Sequence, residues 1–331
     1  LDPSASIPGM PECRPVCSLY TNPMTDLAVI IVSYNVRDLL EPCLKSVLAS
    51  AGVSFDLWVV DNASSDGSSA MVAERFATVR LIRSPVNGGF SYANNLALRA
   101  LGFEGPRNDE PDGYRHVLLL NPDTQLPPDA LARAVAYLDA QPGIGVVGAK
   151  LVRQDGSLDL ACRRSFPTPA VSCYRMLGLS RLFPHSRRFG RYNLTYLDPD
   201  TAADIDAVAG AFMLVRGEAI RDAGLLDEQF FMYGEDLDWA LRIKAAGWRV
   251  VYYPAVIVLH IKRGSSRRSR LRTTREFNRS MLLFYRKHYA RNTFFLLDWL
   301  IVAAIYLRGG TAEVVNRIAM FAAGTRPDPA R

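Results

Sequence analysis

Six polar clusters interrupt an otherwise apolar pattern: Ser33-Tyr34-Asn35, Asp61-Asn62, Asn87-Gly88-Gly89, Asn121-Pro122-Asp123, Glu235-Asp236 and the lone His260. Three of them, at 33–35, 61–62 and 121–123, follow directly on apolar runs of strand length. Carboxylates, amides and hydroxyls grouped there can hydrogen-bond a polar ligand, because ligands of open α/β sheets bind beyond the carboxyl ends of the strands. Three clusters in equivalent positions imply one shared site. Singly, each also reads as a helix cap or a turn. Asn87-Gly88-Gly89 allows backbone to approach a ligand closely, since glycine tolerates unusual dihedrals. A helix following it would aim its N-terminus at phosphate or ribose; an ordinary turn is the plainer reading of the same residues. Glu235-Asp236 opens a helix with Leu237, Ala240 and Leu241 on one face. A carboxylate there can be a general base or a cap.

Holding these clusters together takes a wound α/β domain. LAVIIV at 27–32 is an unbroken apolar run, as expected of a strand covered on both faces. Helical spacing follows at 36–51, a strand at 55–62, a helix at about 68–77, a strand at 79–84, a helix at 90–101 and a strand over 116–123. A helix at 128–140 and a strand from IGVVGAKLV come next. The irregular stretch 153–203, rich in Arg, Pro and aromatics, is too long for an idle connection and reads as an acceptor-binding insertion. Strand–helix and helix–strand pairs then lead to His260, with Gly247 as a helix stop.

In this order and spacing the motifs SYN, VDNASSDG, NGGFSYANN, NPD and YGEDLDW, ending in His260, closely resemble the family 2 glycosyltransferases, over about residues 27–290. The nearest branch is similar to bacterial rhamnosyltransferase-like enzymes that build cell-wall or O-antigen glycolipids. The resemblance implies a GT-A fold: a mixed, mainly parallel sheet flanked by helices. It implies a nucleotide pocket formed by Ser33, Asn35, Asp61, Asn62, Asn87, Gly88, Gly89, Asn95, Asn121 and Asp123, with Asp61 accepting from a pyrimidine imide N–H. Asp123 occupies the second acidic position of the family's Asp-x-Asp metal motif, whose first position is here Asn121. With His260 it would hold Mg²⁺ or Mn²⁺, which prefer oxygen ligands and neutralise a leaving diphosphate. Asp236 would be the catalytic base, oriented by Glu235 or Asp238, and the reaction would invert the anomeric centre. The implied donor is a dTDP- or UDP-sugar, dTDP-rhamnose being one candidate. The implied acceptor is lipid-linked or saccharide. A nucleotidyltransferase and a non-catalytic, membrane-tethered nucleotide-sugar-binding module are the alternatives. The first strand is followed by neither a phosphate loop with Lys or Arg nor a G-x-G-x-x-G turn. The Q-x-x-R-W motif of processive synthases is also missing, which favours single-sugar addition.

The 331 residues are 49% hydrophobic and 22% charged, with net charge +6, which suits a large core and anionic partners. Five cysteines fit no zinc or redox spacing and read as free thiols of a reducing compartment. Residues 1–24 are expected to be a disordered tail, 25–260 the GT-A domain, and 261–331 a basic loop with a helical, membrane-associating extension. Within that extension, 262–275 holds seven basic residues and no acidic one, a mixed aromatic-basic helix is expected at 276–290, and Val314, Val315, Ile318 and Phe321 mark one more amphipathic helix. FFLLDWLIVAAIYL at 294–307 is shorter than the roughly 20 apolar residues of a spanning helix. An interfacial helix on an anionic membrane fits it, a buried amphipathic helix being the other reading. The expected location is cytoplasmic, peripheral at the inner face of the cell membrane. Nucleic acid is not an expected partner, because the basic residues form one run and no reader motif is present.

Overall fold

The computed structural model describes residues 25–105, 113–262 and 270–322. The tail 1–24, most of the basic run (263–269) and the side chains of Val314, Val315, Ile318 and Phe321 lie outside the described residues. The first half alternates as expected: β1 (Leu27–Ser33), α1 (Arg37–Leu48), β2 (Phe55–Asp61), α2 (Ser68–Arg75), β3 (Arg80–Arg83), α3 (Gly89–Ala100) and β4 (His116–Leu120). Next come β5 (Thr124–Gln125), α4 (Ala130–Asp139), β6 (Ile144–Val152), α5 (Pro169–Met176), α6 (Leu179–Leu182), β7 (Ala203–Asp204) and β8 (Phe212–Arg216). The chain ends with α7 (Gly217–Ala223), α8 (Glu235–Ala245), β9 (Arg249–His260), α9 (Arg270–His288) and α10 (Phe295–Ala322).

One mixed sheet in the order β3-β2-β1-β4-β8-β6-β9-β5, with β7 beside β9, forms the centre. β1, β2, β3 and β4 run parallel; β8 runs antiparallel to both its neighbours; β6 and β9 are again parallel. Parallel ladders carry most of the pairing. All seven residues of β1 are buried, as its unbroken apolar run requires of a strand covered on both faces. The main core takes in residues from the sheet and its flanking helices, and Phe284 of α9 joins it.

Two boundaries differ from the sequence expectation. The helix expected at 276–290 begins six residues earlier, because Arg270 to Arg275 continue the helical turn with ordinary helix formers. The stretch 153–203 contains a short helical pair, α5 and α6, started by a Thr168 side-chain cap with Pro169 at the first turn.

Candidate active site

Strand pairing brings the first polar clusters to one sheet edge. Ser33 and Asp61 are register partners at the ends of β1 and β2, and β4, which delivers Asn121 to Asp123, lies on the other side of β1. Asp61 is 4% exposed. Its Oδ2 accepts from the Ser64 amide at 3.1 Å, while its Oδ1 has no partner in the protein, and neither has the buried Ser33 Oγ. Buried polar atoms are nearly always paired, so these two, on paired strand ends, are open to a ligand or to water. Asn35 and Asn62 shape this pocket through the protein itself. Asn35 has φ 53°, in the left-handed region Asn tolerates, and its Oδ1 accepts from the Ser65 amide at 2.7 Å. Asn62 donates to Asn87 Oδ1 and to the Gly89 carbonyl, and its own oxygen accepts from the Gly88 amide.

The Asn-Gly-Gly turn differs from the sequence reading. The amides of Gly88, Gly89 and Phe90 are taken by Asn62, Asn87 and the Phe231 carbonyl respectively. Donors already satisfied in this way are not free for a phosphate. The close approach that excludes a side chain at Gly89 (φ +91°) is that of Phe231, whose carbonyl oxygen would sit 2.3 Å from a Cβ. Asn95 is likewise engaged inside the protein, donating to the Leu226 carbonyl and Glu228 and accepting from the Leu226 amide. The turn thus fastens α3 to the segment entering α8.

Asp123 and His260 meet because β5 pairs with the end of β9, setting Thr124 opposite His260. His260 Nε2 lies 3.3 Å from Asp123 Oδ1, and its Nδ1 lies 2.9 Å from Asp159 Oδ2. Burial alone would lower the histidine pKa; the bonds and charges of Asp123 and Asp159 outweigh it and raise it to about 9. Asp159 is buried and also bound by Lys262 Nζ at 2.8 Å. A carboxylate on the far nitrogen of an imidazole is the arrangement that orients a histidine toward a metal. Among the described residues no group of three His, Cys, Asp or Glu is placed to hold an ion. Asp123 and His260 are the residues that would hold an ion here, and the carboxylate suits an oxygen-preferring cation such as Mg²⁺ or Mn²⁺.

The Glu-Asp pair begins α8 after two consecutive left-handed residues, Tyr233 (φ 72°) and Gly234 (φ 83°). Such a conformation at tyrosine costs on the order of 1–3 kcal/mol and is held by its surroundings. Asp236 Oδ2 accepts from Arg164 Nη2 at 2.5 Å and from the Gly210 amide at 3.2 Å; its Oδ1 accepts from the Leu237 amide. The neighbouring Ala211 carbonyl accepts from the Asn121 amide, so one short turn links the Asn121 cluster to Asp236. Glu235 is buried and its Oε2 has no partner. Burial first, and then the charge of Asp236, push its pKa up to about 8. Asp238 points the other way, to Arg242, Lys287 and His288, and does not contact Asp236.

A family model described as glycosyltransferase-like family 2 matches residues 23–291. The chain belongs to glycosyltransferase family 2. Among curated proteins this glycosyltransferase is similar to the N-acetylglucosaminyl-diphospho-decaprenol L-rhamnosyltransferase of Mycobacterium tuberculosis, 30% identical over 246 residues, 74% of this chain and 79% of that one. It is also similar to rhamnosyltransferase WbbL of Escherichia coli, 27% identical over 235 residues, 70% of this chain and 82% of that one. The solved mannosyltransferase PcManGT of Pyrobaculum calidifontis, in complex with GDP-Man and Mn²⁺, has the same fold (TM-score 0.52, 20% identity, 92% of this chain and 76% of that one). Family membership sets aside the nucleotidyltransferase and the non-catalytic binding module.

Two residues of the glycosyltransferase site escaped the motif reading. Arg164 lies in the Arg-rich stretch already marked as functional, and an arginine is the natural partner for a carboxylate. Asp159 carried no signal, since only the fold brings it to His260 from 101 residues away.

Proposed function

We propose that this glycosyltransferase transfers a single sugar, with inversion, from a nucleoside diphosphate sugar to a hydroxyl of a lipid-linked saccharide in cell-envelope polysaccharide synthesis. The observation that carries the reading is the unpaired, buried Asp61 Oδ1 beside Ser33, on the same sheet edge as the Asp123–His260 pair. That row suits a base, a diphosphate and its counter-cation in sequence. The rhamnosyltransferase names of two relatives make dTDP-rhamnose the first donor to try, and the lipid-diphosphate in one of those names points to the acceptor class.

In this reading Asp61 accepts the imide N–H of the base. Asp123 and His260 hold the divalent cation, which when bound supplies positive charge against the leaving diphosphate. Asp236, fixed by Arg164 and the Gly210 amide, takes the proton of the acceptor hydroxyl at its Oδ1 as that oxygen attacks the anomeric carbon. The new C–O bond forms as the bond to the diphosphate breaks on the opposite face. Nucleoside diphosphate leaves, and Asp236 ends protonated. Glu235, neutral beside it, adds no second negative charge where the hydroxyl must approach.

Among the described residues no helix is long and apolar enough to cross a membrane. A lipid-linked acceptor then requires attachment to the bilayer surface, and the exposed apolar residues of α10 supply it. The test is purified full chain offered a panel of nucleotide sugars with a polyprenyl-diphosphate saccharide, the product's anomeric configuration being read by NMR. Transfer from dTDP-rhamnose with inversion is expected. Retention of configuration, or use of water-soluble acceptors alone, would overturn the reading.

A further inference from the structure

On the surface of the catalytic domain Arg75, Arg80, Arg133 and Arg249 each stand in an ion pair with a carboxylate. The segment from Leu160 to Leu197 departs from that pattern. It holds seven arginines and no carboxylate, and five of the seven (Arg175, Arg181, Arg187, Arg188, Arg191) are exposed. Among the described residues none of these five takes part in an ion pair. Like charges gathered without a counter-charge repel one another, so a group of them kept in one segment suits an anion from outside.

The segment is closed on the proposed base. At its start Arg164 pairs with Asp236. The next amide, of Ser165, donates to the Tyr192 carbonyl at 2.9 Å. The Tyr192 ring lies under Arg175 of α5, whose guanidinium is 4.1 Å from the ring centroid. Arg188 donates through Nε to the hydroxyl of Tyr174, the residue before Arg175, at 3.0 Å, and its guanidinium stands 5.4 Å from that ring. Tyr174 in turn meets Phe189 edge-on at 5.1 Å. A guanidinium held against aromatic rings is partly pre-organised, and its forked N–H groups match phosphate oxygens.

We infer that Arg175 and Arg188 hold the diphosphate of the lipid-linked acceptor while a hydroxyl of its sugar lies at Asp236. The inference rests on the acceptor class proposed above and adds the residues that recognise it. A diphosphate joining sugar to lipid carries one negative charge on each phosphorus, and two arginines match them. The donor diphosphate is assigned to Asp123, His260 and their cation, which leaves the charge of this segment for the acceptor. Hydroxyl and diphosphate are substituents of one sugar, so the groups that bind them belong to one neighbourhood, which the Arg164–Ser165–Tyr192 contacts provide.

Steady-state transfer by the full chain, in non-ionic detergent free of phospholipid, tests this with two acceptors: a polyprenyl-diphosphate saccharide and a neutral alkyl glycoside of the same sugar. In R175Q/R188Q the KM for the diphosphate acceptor should rise at least about tenfold, the worth of one charge-assisted hydrogen bond. The rise with the neutral glycoside should stay within about twofold on the same scale. Nucleoside diphosphate affinity by calorimetry should match the parent, and R175K/R188K, which keeps the charge, should recover most of the loss. An unchanged KM for the diphosphate acceptor would overturn the inference, as would an equal loss on both acceptors or a fall in kcat alone. If the parent uses only the diphosphate acceptor, the KM-against-kcat split and the lysine rescue decide. A loss that appears on phosphatidylglycerol vesicles and is absent in detergent would assign the arginines to bilayer headgroups and overturn it too. A parent chain that glycosylates neither acceptor would overturn the proposed function itself, and this inference with it.

Discussion

Arg164 and Asp236, 72 residues apart in sequence, form a 2.5 Å ion pair at the head of α8. The pair holds Oδ2 of Asp236, while Oδ1 accepts from the Leu237 amide. Asp236→Asn keeps the shape of the side chain and removes basicity. Turnover is expected to fall at least about 100-fold, the lower end for a lost general base, with donor affinity unchanged by calorimetry. Near-normal turnover would move the base elsewhere.

Removing the cation should silence the enzyme. Chelator is expected to abolish transfer, with Mn²⁺ or Mg²⁺ restoring it, and Asp123→Ala should weaken nucleoside diphosphate binding. Asp159→Asn changes the partner of the far nitrogen of His260 and of Lys262, and it should lower Mn²⁺ affinity about 10- to 100-fold. Electron paramagnetic resonance of Mn²⁺ bound to the protein with nucleoside diphosphate reads this without turnover; unchanged affinity would reduce Asp159 to a structural partner of Lys262.

Asp238 ties stability to acidity. Its burial opposes ionisation, but hydrogen bonds from His288 and Lys287 with the charge of Arg242 prevail and lower its pKa to about 2 from 3.8. A carboxylate lowered on folding stabilises fully above its unfolded pKa, and that stability is lost as pH falls through the folded one. The contribution, on the order of 2 kcal/mol, should be intact above about pH 4 and vanish toward pH 2. Thermal midpoints of the parent and Asp238→Asn should therefore converge over that window; parallel curves would show that Asp238 is not the group responsible.

Glu235 works with the opposite sign. Its pKa is raised on folding, so unfolded chains lose the proton near pH 4.5 while folded chains keep it to about 8. Stability should decline as pH rises between those values and level off above. Glu235→Gln cannot ionise, so its urea midpoint relative to the parent should climb from pH 5 to pH 8. A pH-independent difference would mean that Glu235 is ionised in the folded enzyme.

The strand ends were readable because parallel strands covered on both faces give long apolar runs whose stops are visible, as at Ser33 and Asp61. The Glu-Asp pair and His260 were readable through motif order. What stayed hidden was the work of each polar group. Asn62 and Asn95 look like ligand contacts, yet they bind the Gly88 amide and the Leu226 backbone. An amide serves ligand and backbone with the same atoms, and only three-dimensional placement tells them apart. Asp238 was grouped with Asp236 by adjacency, whereas two residues along a helix turn a side chain through some 200°, here toward α9. The apolar run at 294–307 was read as one short element, but it opens a helix that continues to Ala322.

The Asp238 cluster also bears on synthesis. Its carboxylate is fully buried, and two of its three side-chain partners, Lys287 and His288, are made some 50 residues later. A ribosome that has finished the catalytic motifs has not yet delivered the charges that make that carboxylate tolerable in the interior. A chain interrupted before residue 287 carries every motif of the family and still holds a half-answered ion at its centre. Cellular proteases act on such incompletely closed interiors. The buried Asp238 carboxylate thus makes the interior around α8 depend on α9 being in place.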